Sequence, residues 1–174
     1  WATYKQNSLS SMFEHHSVKA LFHDISIESN GINDISKHKK MIENTSKYGR
    51  TVENGCQRIS YEPTNLISCM YVNNELGTIQ PVKEIAKVAH DMKFRRFNGI
   101  LFHTDAVQAL PYLRIDVKDI GCDMLSASGH KVGALKGIGF LYVKKNGPVL
   151  ERLLNGGKQE FGKRPGTENV LGII

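Results

Sequence analysis

The sequence predicts an α/β domain with a largely parallel sheet, and three observations predict it. Short apolar runs of strand length recur, a segment with helical spacing separates the first two, and the runs end in polar turns. The first run, Leu66-Ile67-Ser68-Cys69-Met70-Tyr71-Val72, has the length of a buried strand and leads into Asn73-Asn74-Glu75-Leu76-Gly77. Pro81 suits a first helical turn, where its missing N–H costs little, and Val82, Ile85, Ala86 and Ala89 recur at helical spacing towards Met92. A basic, exposed stretch follows over residues 93–96. Gly99-Ile100-Leu101-Phe102-His103 reads as the next strand, ending at Thr104-Asp105, with a short helix expected over residues 106–109 and interrupted near Pro111. Residues 123–126 form a third expected strand and residues 138–143 a fourth, with a helical turn or two over residues 149–154. The first third of the chain is less periodic. Val18, Leu21 and Phe22 share a helix face after Glu14-His15-His16-Ser17, and Asn30-Gly31 and Asn54-Gly55 mark turns. Residues 35–42 read as a surface helix and residues 47–58 as loop.

Composition bounds the function classes. A chain of 174 residues with 40% hydrophobic and 23% charged residues is globular in its bulk values. At this length it should bury roughly 70% of the surface of the extended chain. No apolar run reaches bilayer length and no targeting segment is visible, so a soluble chain without a membrane partner is expected. The 23 Lys and Arg exceed the 17 Asp and Glu by 6, which favours anionic ligands. The basic residues are spread out and lack the aromatic interleaving of a strand-binding groove, which argues against nucleic acid as the partner. Cys56, Cys69 and Cys122 form neither a disulfide framework nor a Cys-x-x-Cys site, and a cytoplasmic or other reducing compartment is the simplest setting. The chain opens at Trp1 and closes on Leu171-Gly172-Ile173-Ile174, and it is expected to be a piece of something longer.

In open α/β sheets ligands collect beyond the carboxyl ends of the strands. Three such ends lead into Asn73 and Asn74, into Asp105, and into Ser128, His130 and Lys131. Lysine becomes a nucleophile when desolvation or a nearby cation favours its neutral amine. Lys131 follows small residues that let a ring and a phosphate approach the backbone, with Ser128 and His130 as donors to phosphate oxygens. The bland alternative is an ordinary solvated lysine. Asp105 could hold a proton on a heterocyclic nitrogen, or only cap the segment after it. Gln108, three residues on, shares its face in a helix, and with Asn74 could donate to a phenolic oxygen; ordinary surface and turn polarity is the alternative for both. His15 could stack on a cofactor ring and help move protons, or be one of two surface histidines. The glycine-rich, basic segment 156–169 could present backbone N–H groups, Arg164 or Thr167 to an anion, or be a solvated loop; it lacks the spacing of a Walker loop.

Taken in order, several stretches resemble the NifS-like cysteine desulfurases within the class V aminotransferase group of pyridoxal phosphate enzymes. They are Glu14-His15-His16-Ser17-Val18, the run from Val72-Asn73-Asn74-Glu75-Leu76-Gly77 to Pro81, and Phe102-His103-Thr104-Asp105-Ala106-Val107-Gln108. The remainder are residues 126–131, Lys136-Gly137-Ile138-Gly139 and residues 156–170. The resemblance implies an aspartate-aminotransferase-like large domain of fold type I and pyridoxal 5'-phosphate as cofactor. It makes Lys131 the Schiff-base lysine, Asp105 the partner of the pyridine nitrogen, and Gln108 and Asn74 the ligands around the phenolic oxygen. His15 becomes the ring-stacking histidine, and Ser128 and His130 become phosphate ligands. In the family the residue matching Thr167 reaches the phosphate site of the neighbouring subunit, which implies a homodimer. L-cysteine is the implied substrate, alanine the product, and sulfur leaves as a persulfide towards an acceptor protein. Residues 1–174 are then a partial cofactor-binding domain, without the family's preceding phosphate loop or its following small domain, which carries the catalytic cysteine; none of the three cysteines here matches that cysteine. A selenocysteine lyase or another class V aminotransferase, and a noncatalytic scaffold retaining the fold, are the alternatives.

Overall fold

The computed structural model describes residues 8–11, 23–25, 31–37, 39–40, 49–53, 56–60, 65–91 and 100–174. Their centre is a sheet built from β1 (Ser8–Ser11), β2 (His23–Ile25), β5 (Leu66–Met70), β6 (Leu101–Asp105), β7 (Met124–Ser128) and β8 (Gly139–Val143), in the order β2-β1-β5-β6-β7-β8. The first four pairings are parallel and only β7–β8 is antiparallel, as expected of a mostly parallel sheet. A separate antiparallel pair, β3 (Gly49–Glu53) with β4 (Cys56–Ser60), lies where loop was expected. Two residues, Asn54 and Gly55, separate the paired Glu53 and Cys56, and that is the sequence signature of a tight hairpin.

The helix expected from Pro81 onwards is α1 (Val82–Asp91), with Val82, Ile85, Ala86 and Ala89 buried at that same spacing. Its buried stripe packs with Ile67 and Cys69 of β5, Phe102 of β6, and Leu125 and Ala127 of β7. Successive strand side chains alternate between faces, so these positions define one face of the sheet. Removing a Val, Ile or Phe side chain from water contributes about 1.5–3 kcal/mol, and Ile67, Ile85 and Phe102 are each at 0% exposure. The entry to α1 is held by Gln80, whose Oε1 accepts from the Asn33 amide and whose Nε2 donates to the Gly31 carbonyl, both at 2.7 Å.

Three short helices follow: α2 (Val117–Ile120), α3 (Gln159–Gly162) and α4 (Val170–Ile173). Asp116 caps α2 by accepting from the Lys118 and Asp119 amides, and Gly121 ends it in the left-handed region at φ 77°. Residues 106–109, expected to be helical, form hydrogen-bonded turns in which the Ala106 carbonyl accepts from both Ala109 and Leu110. Pro111, two residues beyond, has no N–H to extend such a ladder. Residues 149–154, expected as a helical turn or two, are irregular, and Val149, Leu153 and Leu154 are exposed. No face of that segment is buried, so nothing offsets the cost of nucleating a helix. No helix among the described residues is long and apolar enough to cross a membrane.

Candidate functional site

Strands β5, β6 and β7 are neighbours and parallel, so their carboxyl ends share one edge of the sheet. Leaving β5, the chain donates from the Tyr71 amide to the Asp105 carbonyl and then turns sharply. Buried Asn73 organises the turn: its Oδ1 accepts from the Glu75 and Leu76 amides at 2.9 and 2.7 Å, and its backbone bonds Thr78 and Gly77. Gly77 completes the turn at φ 71°. The result presents Asn74 exposed at the rim.

At the end of β6, Asp105 is 9% exposed and its Oδ1 accepts from the Val107 amide at 2.9 Å. This bond directs the chain into the turns that carry Gln108. Asn74 and Gln108 face the same open cleft of about 360 Å³, whose walls include Val72, Ile79 and Tyr112. Asp105 and Lys131 are not part of that lining.

At the end of β7, Ser128 leads into a tight 3-10 turn, Gly129–Lys131. Ser128 Oγ lies 2.7 Å from His130 Nδ1, and both His130 and Lys131 are exposed. The Gly129 amide donates to the Ile138 carbonyl, and its own carbonyl accepts from Val132 and Ala134. A Cβ at Gly129 would sit 2.7 Å from Ile138 Cγ2 and 3.0 Å from Ala134 Cβ. Only glycine lets the turn fold this closely. Asp105 pairs with Ser126 in register, and strand alternation puts Ser126 and Ser128 on the same face. The carboxylate and the start of the lysine-bearing turn therefore share one face and one edge, on the side of the sheet away from α1.

Thr167 is exposed on the segment between α3 and α4, apart from any strand end. His15 lies outside the described residues. Among the described residues no cluster of His, Cys, Asp or Glu has the makings of a metal site.

Two groupings went unread in the sequence. His103 is 2% exposed, its Nδ1 is 2.8 Å from Ser68 Oγ, and its Nε2 is 3.2 Å from Ser126 Oγ. Burial pulls its pKa down to about 4. At the opposite edge of the sheet Asp123 accepts from the Phe102 amide at 2.9 Å, lies 2.8 Å from His90 Nε2, and accepts from Lys144 Nζ at 3.4 Å. Burial alone would raise the carboxyl of Asp123, but the His90 and Phe102 hydrogen bonds and the charge of Lys144 outweigh it and hold the group below its ordinary value. The sequence signal for His103 is a polar residue two before Asp105 inside an apolar run. Of the cysteines, Cys69 and Cys122 are buried, and burial pushes the Cys122 thiol up to about 11. A raised thiol pKa is the reverse of what a sulfur nucleophile needs.

Comparison with known proteins gives a consistent match. The family model described as aminotransferase class-V matches residues 5–174. The cysteine desulfurase IscS of Methanosarcina thermophila is 48% identical over 128 residues, covering 74% of this chain and 30% of that protein. The X-ray structure of a NifS-like protein from Rickettsia africae superposes with a TM-score of 0.79 at 27% identity, over 98% of this chain and 43% of that one. A structure described as SspA in complex with cysteine gives 0.69 at 33% identity, over 97% and 45%. The chain thus spans from under a third to under half of the length of these relatives.

Proposed function

This chain belongs to the class-V aminotransferase family, and from that premise we propose that it is much of the cofactor-binding domain of a pyridoxal phosphate enzyme, a cysteine desulfurase acting on L-cysteine. The observation that carries the reading is the convergence of three parallel strand ends bearing Asn74, Asp105 and the Ser128-to-Lys131 turn on one sheet edge. Relatives named as cysteine desulfurases and a similar structure holding cysteine support the substrate.

The donor set fits the cofactor. A buried carboxylate, two amides beside a shared cleft, a hydroxyl–imidazole pair and an exposed lysine are the groups a pyridine ring, a phenolic oxygen, a phosphate and an aldehyde require. Bound pyridoxal phosphate supplies an electron sink that stabilises negative charge at the substrate α-carbon. Asp105, shielded from water, holds a proton on the ring nitrogen and so keeps that sink strong. Asn74 and Gln108 donate to the phenolic oxygen. Ser128 Oγ and His130 bind phosphate oxygens, and the Gly129 amide, bonded to Ile138, keeps their turn closed. Lys131 would hold the aldehyde end of the cofactor and would move the proton at the substrate α-carbon. By the family resemblance the ring-stacking role falls to His15, and Thr167 would reach the phosphate of a neighbouring subunit in a homodimer. Sulfur leaves as a persulfide on a cysteine other than Cys56, Cys69 and Cys122, towards a sulfur-acceptor protein, in a reducing compartment. Alanine is the other product.

Titration of the full chain with pyridoxal phosphate tests the site. A Schiff-base absorbance band between roughly 300 and 500 nm, distinct from that of the unbound cofactor, is expected and should be absent in Lys131→Ala. Identical spectra for the two proteins overturn the assignment. Alanine formed from L-cysteine by the complete enzyme, and not by Lys131→Ala, is the expected product result.

A further inference from the structure

We propose that Ser68, His103 and Ser126 form a positioning network that ties strands β5, β6 and β7 together beneath the candidate active site and fixes where their ends place Asn74, Asp105 and the Lys131 turn. The inference rests on the cofactor reading above and goes beyond it, since it concerns residues inside the strands rather than at their ends.

Register and alternation carry the argument. Ser68 on β5 is the cross-strand partner of His103, and Ser126 on β7 is the partner of Asp105. His103 and Asp105, two apart on β6, share a face. A single imidazole therefore reaches left to Ser68 Oγ at 2.8 Å and right to Ser126 Oγ at 3.2 Å, directly behind the carboxylate on the same side of the sheet. The network crosses two inter-strand gaps, about 9–10 Å. Ser128, the first residue of the lysine-bearing turn's cap, is only two residues beyond Ser126 on the same face.

Neutrality suits the ring to this role. A neutral imidazole has one donor nitrogen and one acceptor nitrogen, which two hydroxyls can match without leaving a polar group unsatisfied. Burial lowers the pKa of His103 to about 4, so no cation forms behind Asp105 near neutrality. A charged ring there would compete with the pyridine nitrogen for the attraction of the carboxylate. Strand backbones alone allow small sliding and twisting. A side-chain tie across three of them restricts the relative placement of groups that must act on one small molecule.

The test uses Ser126→Ala, Ser126→Thr and Ser68→Ala in the full chain, with Thr104→Val as control. Thr104 Oγ1 donates to the Cys69 carbonyl at 2.8 Å, from the face that packs against α1. Pyridoxal phosphate affinity and the pH midpoint of its absorbance band are measured for each. Both alanine variants are expected to bind about tenfold more weakly and to move the midpoint by about half a pH unit. Ser126→Thr, which keeps the hydroxyl, should restore both values, while Thr104→Val should lower stability and leave both unmoved. Wild-type affinity and midpoint in both alanine variants, or an equal change in Thr104→Val, overturn the network. If the unsubstituted chain shows no band that Lys131→Ala removes, the cofactor reading falls instead. The network is then judged from backbone amide resonances of Asp105 and Lys131, which should shift in Ser126→Ala and return in Ser126→Thr; unmoved resonances overturn it.

Discussion

Lowering the pH from neutrality to about 4 should destabilise the protein through His103 in particular. The imidazole is buried at 2% exposure, and burial lowers its pKa from 6.5 to about 4. In the unfolded chain the ring takes up its proton as pH falls through about 6.5, whereas the folded protein resists protonation until about 4. Between those values the unfolded state binds more protons, so stability rises with pH. The contribution is fully present above about 6.5 and is lost as the pH falls to about 4. At about 1.4 kcal/mol per pH unit the window corresponds to roughly 3 kcal/mol. Urea unfolding of the unsubstituted protein and of His103→Gln, at steps across this range, isolates the effect. Glutamine is neutral throughout, and the carboxylates held low, Asp34, Asp116 and Asp123, are common to both proteins and cancel in the difference. The stability difference between the two should change by roughly 3 kcal/mol across the window. Parallel stability curves, or an imidazole NMR titration near 6.5, would refute the neutral buried ring.

Two substitutions separate the stabilising edge of the sheet from the chemical one. Asp123→Asn removes the charge that Phe102, His90 and Lys144 share, and should cost about 2 kcal/mol in chemical denaturation. Because Asp123 precedes β7 rather than following it, cofactor absorbance should be unchanged. Gly129→Ala pushes a methyl against Ile138 and Ala134 and should cost about 1–3 kcal/mol. It should also weaken pyridoxal phosphate binding by displacing the turn that carries Lys131, and binding as tight as in the unsubstituted protein would refute the tight-turn role of the glycine.

The sheet centre was legible because burial on both faces selects long apolar runs: β5 has all five residues buried, and β6 has four of five. Helix α1 was legible for the complementary reason, since one apolar stripe at helical spacing meets one sheet face. The polar strands were not. β1 reads Ser-Leu-Ser-Ser and β2 only His-Asp-Ile, too short and polar for a periodic signal, and their place beside β5 is a long-range property. The hairpin β3–β4 mixes polar and apolar residues, and only Asn54-Gly55 marks it in the sequence. At residues 149–154 the apolar residues predict a helix, but Val149, Leu153 and Leu154 are exposed and give it no buried face.

The candidate site was legible at its rim and hidden in its foundation, for one physical reason. Asn74, Asp105 and Lys131 stand where apolar runs stop, and a strand end is a position that a single sequence marks. Ser68, His103 and Ser126 lie inside the runs, where each reads as an isolated polar interruption. Only register reveals them as a group: the pairing of Ser68 with His103 and of Asp105 with Ser126 aligns three interruptions on one face. A buried polar residue in a central strand costs free energy unless a partner satisfies it. Two buried residues, Ser68 and His103, in register, with part-buried Ser126 one pair further along the same face, are therefore evidence of a hydrogen-bonded row, even before side chains are seen. The same alternation places the row on the face of Asp105, inside the strands whose ends carry the candidate site.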